Sequence, residues 1–357
     1  MGSRLRDARG EVIAATGEAT PASLRPWVAV LRSRLPSTAP APQVTLDATL
    51  HRELEAALEG VERGAGVVMT TEGDVRALFS TLPHNGKPGL ETRHMATGQP
   101  APCGSAVKPV TALAAFTAGV LTETTQHECT GALDVGKRRF RCFGRHGKLD
   151  LNRALALSDN VFFYELGRAL DHDHLASVQR TLGLGQPVAS FPDAPTGLVP
   201  NRAHFEADGG SLHVGHTLTQ AIGHNIRVTP LQMARAYAAL ATGKLVGPAW
   251  IPGAATGTAM DPAWKKHLPA IRAGVRHAVT DADGTAHFDG RVPDLAGKTG
   301  TAETRHAQGE PEIPLGWFAG WAPADHPRIA FAFRVEGKMG RQVAELVLEA
   351  LERAASR

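Results

Sequence analysis

No stretch of this chain approaches the ~20 consecutive apolar residues of a membrane-spanning helix. Met1 to Gly17 is charged and lacks the apolar segment of a secretory leader. Net charge is nearly absent: 38 Lys and Arg against 35 Asp and Glu leave a formal +3. That balance is too small to argue for a nucleic-acid surface, and no extended aromatic-basic stripe accompanies it. The cluster Lys137, Arg138, Arg139, Arg141 and Arg145 then reads as a solvated loop, with attraction to an anionic polymer as the alternative. There is no internal repeat, and low complexity is confined to Pro36-Ser37-Thr38-Ala39-Pro40-Ala41-Pro42, a proline-rich linker. Only three cysteines occur, so at least one thiol is unpaired within the chain. What remains is 357 residues, 43% hydrophobic and 20% charged, enough for one large globular domain and a short appendage.

The linker divides the chain. Residues 1–42 read as an N-terminal arm with one helix near Pro26 to Arg34, and residues 43–357 as the main domain. Asp47 can cap a helix bearing Leu50, Leu54, Leu58 and Val61. Gly66 to Thr71 and Asp74 to Phe79 read as strands joined at Glu72-Gly73. Helices are expected at 149–157 and 161–170, then a mostly irregular crossing over 197–223. Thr229 caps another helix with Pro230 in its first turn, and 261–280 is helical. Lys298, Trp317 and Ile329 each fall in a strand, and an amphipathic helix with Val343, Leu346, Val347 and Leu351 follows. Strands at both ends with helices between them imply a mixed α/β (α+β) domain whose sheet is closed by the two ends of the chain.

The chemistry centres on Cys103-Gly104-Ser105-Ala106-Val107-Lys108-Pro109, followed by the apolar run Val110 to Leu121. Ser105 stands where a glycine-containing loop gives way to a helix. Lys108, three residues on, shares its face and can reach its hydroxyl. A serine hydroxyl becomes a nucleophile when a nearby base takes its proton, and a helix N-terminus favours a developing oxyanion. A lone S-x-x-K also occurs by chance in ordinary capped helices. Two further motifs follow in order, Ser158-Asp159-Asn160 and Lys298-Thr299-Gly300-Thr301, completing the set S-x-x-K, S-D-N and K-T-G.

On these motifs the chain, from about Val44 onward, resembles the transpeptidase domain of class B penicillin-binding proteins, especially the elongation type (penicillin-binding protein 2-like). The resemblance implies a serine β-lactamase/transpeptidase-like fold, a five-stranded antiparallel sheet flanked by helices plus an inserted helical subdomain. It implies a D,D-transpeptidase that cross-links peptidoglycan stems ending in D-Ala-D-Ala and is acylated by β-lactams. Ser105 would be the nucleophile and Lys108 the base, its pKa lowered by burial and by nearby positive charge from Lys298. Ser158 would bridge Lys298 and Lys108 and relay the proton, and Asn160 would donate its amide to the substrate backbone. The oxyanion would lie between the N–H groups of Ser105 and Thr301. Thr299, Gly300 and Thr301 would bind substrate, the threonines holding its carboxylate beside Lys298. Two positions depart from the family: Cys103 stands where proline is usual, and Gly223-His224-Asn225 where Gly-Gln-Gly is usual.

A serine β-lactamase or a D,D-carboxypeptidase is the rival enzyme. Deacylation by the class A route needs a carboxylate base, and none of Glu165, Asp171, Asp173, Asp193 or Glu206 sits in a Glu-x-x-x-Asn pattern. A non-catalytic β-lactam sensor or scaffold is the alternative from another class, but Ser105, Lys108 and Lys298 are all retained. No cofactor is required for the chemistry. Cys129, Cys142 and His146 are zinc-ligand types, and elongation-type members place metal ligands at four positions matching these and Asp159. A structural Zn2+, a Cys129–Cys142 disulfide and unrelated thiols all remain open. The family further implies a membrane glycosyltransferase partner and a periplasmic, extracytoplasmic location with an inner-membrane anchor preceding Arg4. Met1-Gly2-Ser3 then reads as a vector-derived remnant, and Arg6 to Ala14 is similar to the stretch that follows the anchor.

Overall fold

Leu5 and Ile13, the apolar residues of two short arginine- and valine-containing segments, meet across a hairpin, β1 (Arg4–Arg6) and β2 (Val12–Ala14). It opens the computed structural model, which describes residues 4–15, 19–35, 41–81, 94–207, 209–304 and 312–357. Helix α1 (Arg25–Arg34) follows, close to the expected bounds. Its Trp27, Val28 and Leu31 share one apolar cluster with Leu5, Ile13, Val67 and Trp321. The arm therefore packs onto the sheet domain. Most of the proline-rich linker lies outside the described residues.

Asp47 caps α2 (Ala48–Ala57) as expected, its side chain accepting from the Leu50 amide at 3.0 Å. Strands β3 (Gly64–Thr70) and β4 (Val75–Ser80) then form a hairpin. A single turn of 3₁₀ helix, Gly104–Val107, leads into α3 (Lys108–Thr117), which is shorter than the apolar run and buried from Lys108 to Phe116. The segment 127–149, expected as a loop, holds two small antiparallel pairs. β5 (His127–Cys129) pairs with β8 (Gly147–Leu149), and between them β6 (Ala132–Val135) pairs with β7 (Arg138–Arg141). Helices α4 (Leu151–Ala156), α5 (Asn160–Ala169) and α6 (His172–Thr181) follow. The stretch 197–223 is less irregular than expected, since it contains α7 (Arg202–Glu206) and α8 (Val214–Ala221). Thr229 caps α9 (Pro230–Thr242). A small hairpin, β9 (Lys244–Gly247) with β10 (Thr256–Ala259), separates it from α10 (Pro262–Lys265) and α11 (Leu268–Thr280).

The last part of the chain supplies β11 (Ala296–Thr304), β12 (Ile313–Ala322), β13 (Ile329–Glu336) and α12 (Gly340–Ser356). The main sheet has five strands in the order β11-β12-β13-β3-β4, every pair antiparallel. Alternation along each strand sorts residues to two faces. Phe331, Phe333 and Val335 of β13 join Leu50 and Leu54 of α2 and Val343, Val347 and Leu351 of α12 on one face. Ala330 and Ala332 turn to the other, where they meet the cluster containing α9 and α3. The small alanines on that side let α9 lie close on the sheet. The result is helix, sheet, helix, with the 3₁₀ turn that leads into α3 packed against the edge strand β11.

The loop with the unusual Gly223-His224-Asn225 sequence lies directly behind the nucleophile turn. The Gly223 carbonyl accepts from the Gly104 amide at 3.2 Å. Gly223 has φ +82, and a Cβ there would stand 2.2 Å from the Gly104 carbonyl oxygen. Gly223→Ala therefore combines left-handed backbone strain with a backbone clash, and we expect a loss of about 2 kcal/mol or more. Urea unfolding of both proteins measures it, and an unchanged midpoint would show that this contact does not hold the turn.

Candidate active site

Two glycines bring Ser105 against the edge strand. A Cβ on Gly104 would lie 2.6 Å from the Thr301 carbonyl, and one on Gly300 would lie 2.5 Å from the Cys103 carbonyl and 2.8 Å from the Ala106 amide. Only bare backbone fits, so β11 and the 3₁₀ turn pack main chain on main chain. The turn is held from two other sides: Tyr237 Oη donates to the Ala106 carbonyl at 2.8 Å, and Trp317 Nε1 to the Pro102 carbonyl at 2.9 Å. The neighbouring Cys103 thiol is fully buried, and that burial holds its pKa far above the ordinary range. It is inert as a nucleophile.

The S-D-N motif lies in the tight connection between α4 and α5. Ser158 is the only non-glycine residue with positive φ among the described residues, at +56. This turns its carbonyl inward, where it accepts from Lys108 Nζ at 2.6 Å. Lys108 Nζ also donates to Asn160 Oδ1 at 2.8 Å and reaches Ser158 Oγ at 3.4 Å. No Lys108–Ser105 hydrogen bond is present among the described residues, so the expected direct reach is not made in this arrangement. One Asn160 Nδ2 hydrogen is taken by the Arg141 carbonyl at 3.2 Å, which leaves the other for a ligand.

Lys108 and Lys298 are both fully buried. Burial pushes Lys108 down to about 7, against the opposing pull of Asp159 and the two cysteines. Desolvation lowers Lys108, as expected, and the repulsion between the two amines falls on Lys298 instead. Lys298 is itself held well below its ordinary range, by burial first and then by Lys108. Lys298 Nζ donates to the Thr299 carbonyl at 3.0 Å, and no Ser158–Lys298 hydrogen bond is present among the described residues.

Two clefts meet at Ser105. One, of about 290 Å³, is lined by Ser105, Ser158, Thr285, Thr299, Gly300 and Thr301 together with Phe143, Leu157, Met339, Gly340 and Arg341. The other, of about 780 Å³, runs past Arg138 to Phe143, Asn160, Tyr164, His224, Glu303 and Glu312. Residues near 105, 158 and 298 thus converge, although Lys298 lies behind the wall of both clefts. Thr285 went unrecognised in the sequence. Its Oγ1 accepts from Thr299 Oγ1 at 2.8 Å, and its amide donates to the Ala156 carbonyl at 2.9 Å.

Beneath Ser158, Cys129, Cys142, His146 and Asp159 bring one ligand atom each to within 4.8 Å of one another. The cysteines are free thiols, so no Cys129–Cys142 disulfide is formed. Cys142 Sγ lies 3.4 Å from Asp159 Oδ2 and 3.8 Å from His146 Nδ1, and that nitrogen is 2.6 Å from the same carboxylate oxygen. The second Asp159 oxygen caps α5, accepting from the Phe162 amide at 2.6 Å. The Asn160 amide donates to Cys142 Sγ at 3.2 Å. Burial, then the adjoining Asp159, pushes the Cys129 thiol up to about 12. Two sulfurs, a nitrogen and an oxygen at this spacing, with their outer partners in place, fit a four-coordinate zinc.

Residues 64–351 match the family described as penicillin binding protein transpeptidase domain. The chain belongs to that transpeptidase family. The peptidoglycan D,D-transpeptidase MrdA of Haemophilus influenzae is 25% identical over 88% of this chain and 56% of its own length. The Acinetobacter baumannii MrdA is 28% identical over 69% and 41%. Among solved structures, a Helicobacter pylori complex of penicillin-binding protein PBP2 with MreC superposes with TM-score 0.79 and 27% identity, over 90% of this chain and 65% of the other. Pseudomonas aeruginosa PBP2 in complex with WCK 5153 gives 0.77 and 28%, over 88% and 75%. The chain spans about half the length of the curated relatives it matches. The transpeptidase fold expected from the motifs, with its five-stranded antiparallel sheet, is the fold observed.

Lys108 of this transpeptidase domain should titrate near pH 7 in the folded protein, against 10.5 ordinarily. The unfolded chain binds more protons between those values, so this lysine makes stability rise with pH across that window. Carbon NMR of lysine methylene groups should show one resonance titrating near 7 that Lys108→Met removes. A spectrum in which every lysine titrates near its ordinary value would exclude a neutral Lys108.

Proposed function

We propose that the domain is a peptidoglycan D,D-transpeptidase acting through a Ser105 acyl-enzyme. The convergence of Ser105, Lys108, Ser158 and Thr301 at the meeting point of two clefts carries this reading. Neutral Lys108 takes the Ser105 proton once substrate closes the gap between them. Ser105 Oγ attacks the carbonyl before the terminal D-Ala, and the oxyanion lies between the Ser105 and Thr301 N–H groups, each worth on the order of 10²–10³ in rate. The C–N bond breaks, and the proton passes from Lys108 through Ser158 Oγ to the leaving amine. Thr299, Thr301 and Gly300 hold the donor's terminal carboxylate, with Lys298 behind them, and Asn160 holds its backbone through the free amide hydrogen. An amine from a second stem enters by the larger cleft, takes the acyl group and returns the proton to Lys108. β-Lactams acylate the same serine.

None of Glu165, Asp171, Asp173, Asp193 or Glu206 lines either cleft, and Glu303 and Glu312, which line the larger one, sit in no Glu-x-x-x-Asn pattern. This supports acyl transfer over rapid hydrolysis. Incubation with benzylpenicillin should give a persistent one-to-one mass adduct that Ser105→Ala abolishes. An adduct on the Ser105→Ala protein, or release of penicilloate within seconds, would reject the transpeptidase assignment.

We further propose that Cys129, Cys142, His146 and Asp159 hold a structural zinc, which would neutralise the clustered thiols and carboxylate and leave no open position for catalysis. Extracytoplasmic work beside an inner-membrane glycosyltransferase and an MreC-type scaffold, with residues 1–42 as a reduced pedestal, belongs to the same proposal. No helix among the described residues is long and apolar enough to cross a membrane. Protein purified without added metal should carry about one zinc per chain and lose thermal stability when a chelator removes it. Metal-free protein with two oxidised thiols would instead favour a bridge.

A further inference from the structure

Three thiols occur in the chain, and their surroundings set one apart from the other two. Cys103 is fully buried behind the nucleophile turn, its sulfur 4.0 Å from the Gly223 carbonyl. Cys129 and Cys142 instead bring their sulfurs to within 4.8 Å of each other. Backbone ties the two segments together: the Cys142 amide donates to the Gly131 carbonyl at 2.9 Å, and the His146 amide to the Cys129 carbonyl at 3.1 Å. A disulfide needs its sulfurs about 2.0 Å apart, so a short closing movement joins this pair. Cys129, in β5 and paired to β8, is 2% exposed, whereas Cys142 is half-buried. A reagent arriving from water therefore meets Cys142 first.

That movement reaches the active site through Asn160. Cys142 Sγ accepts from the Asn160 amide at 3.2 Å, and the preceding Arg141 carbonyl accepts from Asn160 Nδ2 at 3.2 Å. Asn160 Oδ1 in turn accepts from Lys108 Nζ at 2.8 Å. Arg141 and Cys142 thus hold this residue by backbone and side chain, and a sulfur drawn toward Cys129 lets go of the first N–H of α5. A bridge also takes two of the four ligand atoms, leaving His146 and Asp159, too few for a tetrahedral site. The same two sulfurs hold a cation or each other, never both.

We propose that Cys129 and Cys142 form an oxidative modification site, a dithiol that a small-molecule disulfide converts to a bridge, with loss of the cation and slower acylation of Ser105. This rests on the readings of the cluster as a zinc site and of Ser105 as the nucleophile. The Cys142 thiolate attacks one sulfur of the reagent RSSR, the S–S bond breaks and RS⁻ leaves. The Cys129 thiolate then attacks the Cys142 sulfur of the mixed disulfide, forming the Cys129–Cys142 bond and expelling the second RS⁻. The cysteines lose two electrons and the reagent gains them. Extracytoplasmic compartments supply such oxidants, and there metal ligation is what keeps the pair reduced.

The test treats the reduced, zinc-loaded full chain with oxidised glutathione in the presence of a chromogenic zinc chelator. One zinc should be released for every two thiols lost, Cys103 should stay reduced, and peptide mapping should find the Cys129–Cys142 link. The second-order rate constant for acylation by benzylpenicillin should fall about tenfold and recover with dithiothreitol and zinc. Cys129→Asp keeps a ligand oxygen but lacks the resolving thiol, so it should stop at a glutathione adduct on Cys142. Thiols that stay unreacted after zinc is removed overturn the proposal. So does a link to Cys103, or a Cys129–Cys142 bridge that leaves zinc content or acylation unchanged. Reduced protein that binds no supplied zinc overturns the cluster reading instead, and absence of any penicillin adduct overturns the Ser105 reading.

Discussion

A lysine with no exposure at all sits at the centre of the site, and its three contacts with the S-D-N motif set the geometry around it. Leaving a buried ammonium unpaired would cost several kcal/mol. Lys108 meets that cost in two ways at once, by finding carbonyl and amide oxygens and by falling toward neutrality. Both responses leave an amine of lowered basicity in contact with Ser158. The carbonyl of Ser158 would point elsewhere in a relaxed turn, so the lysine and the strained serine stabilise each other across two segments fifty residues apart.

Asp159 joins this centre to the surface. One of its oxygens caps α5 and the other enters the Cys129, Cys142 and His146 cluster, so helix and loop share a single carboxylate. Burial would raise its pKa, but hydrogen bonds, first from the Cys129 thiol and then from the Phe162 amide and His146, hold it below the ordinary value, with help from Lys108. An ionised Asp159 suits a cation at the cluster and a charge partner for Lys108. The middle residue of the motif is therefore structural in a direct sense: it places Ser158 and Asn160 on either side of itself.

The sequence made the motifs legible because acyl transfer demands few residue types, and their order along the chain is hard to meet by chance. The sheet was legible for a different reason: Val67, Phe331 and Trp317 lie in strongly apolar runs at the chain's two ends. The two small pairs within 127–149 were not. Arg138-Arg139-Phe140-Arg141 has almost no apolar alternation, and its strand is held by the cluster and by Phe140 against Tyr164 rather than by propensity. Helix α6 carried a signal that was overlooked, since Asp171 accepts from the His174 amide ahead of buried Leu175 and Val178. Thr285 had none. Its importance arises from a contact with Thr299 fourteen residues away in a different element, and the effect of Lys298 on Lys108 likewise depends on which amine loses its proton first.

The strain at Ser158 shows why this position is not glycine. A left-handed backbone costs a non-glycine residue on the order of 1 kcal/mol, and glycine would remove that cost while keeping the inward carbonyl. It would also remove the only hydroxyl within reach of Lys108 Nζ among the described residues. A hydrogen bond between neutral groups contributes about 0.5–1.5 kcal/mol net, so the 2.6 Å contact to the carbonyl is of a size to offset the strain. The backbone of Ser158 thus serves stability, and its side chain remains free for chemistry. Separating the two within one residue leaves Oγ able to change its hydrogen bonds without loosening the turn that holds it.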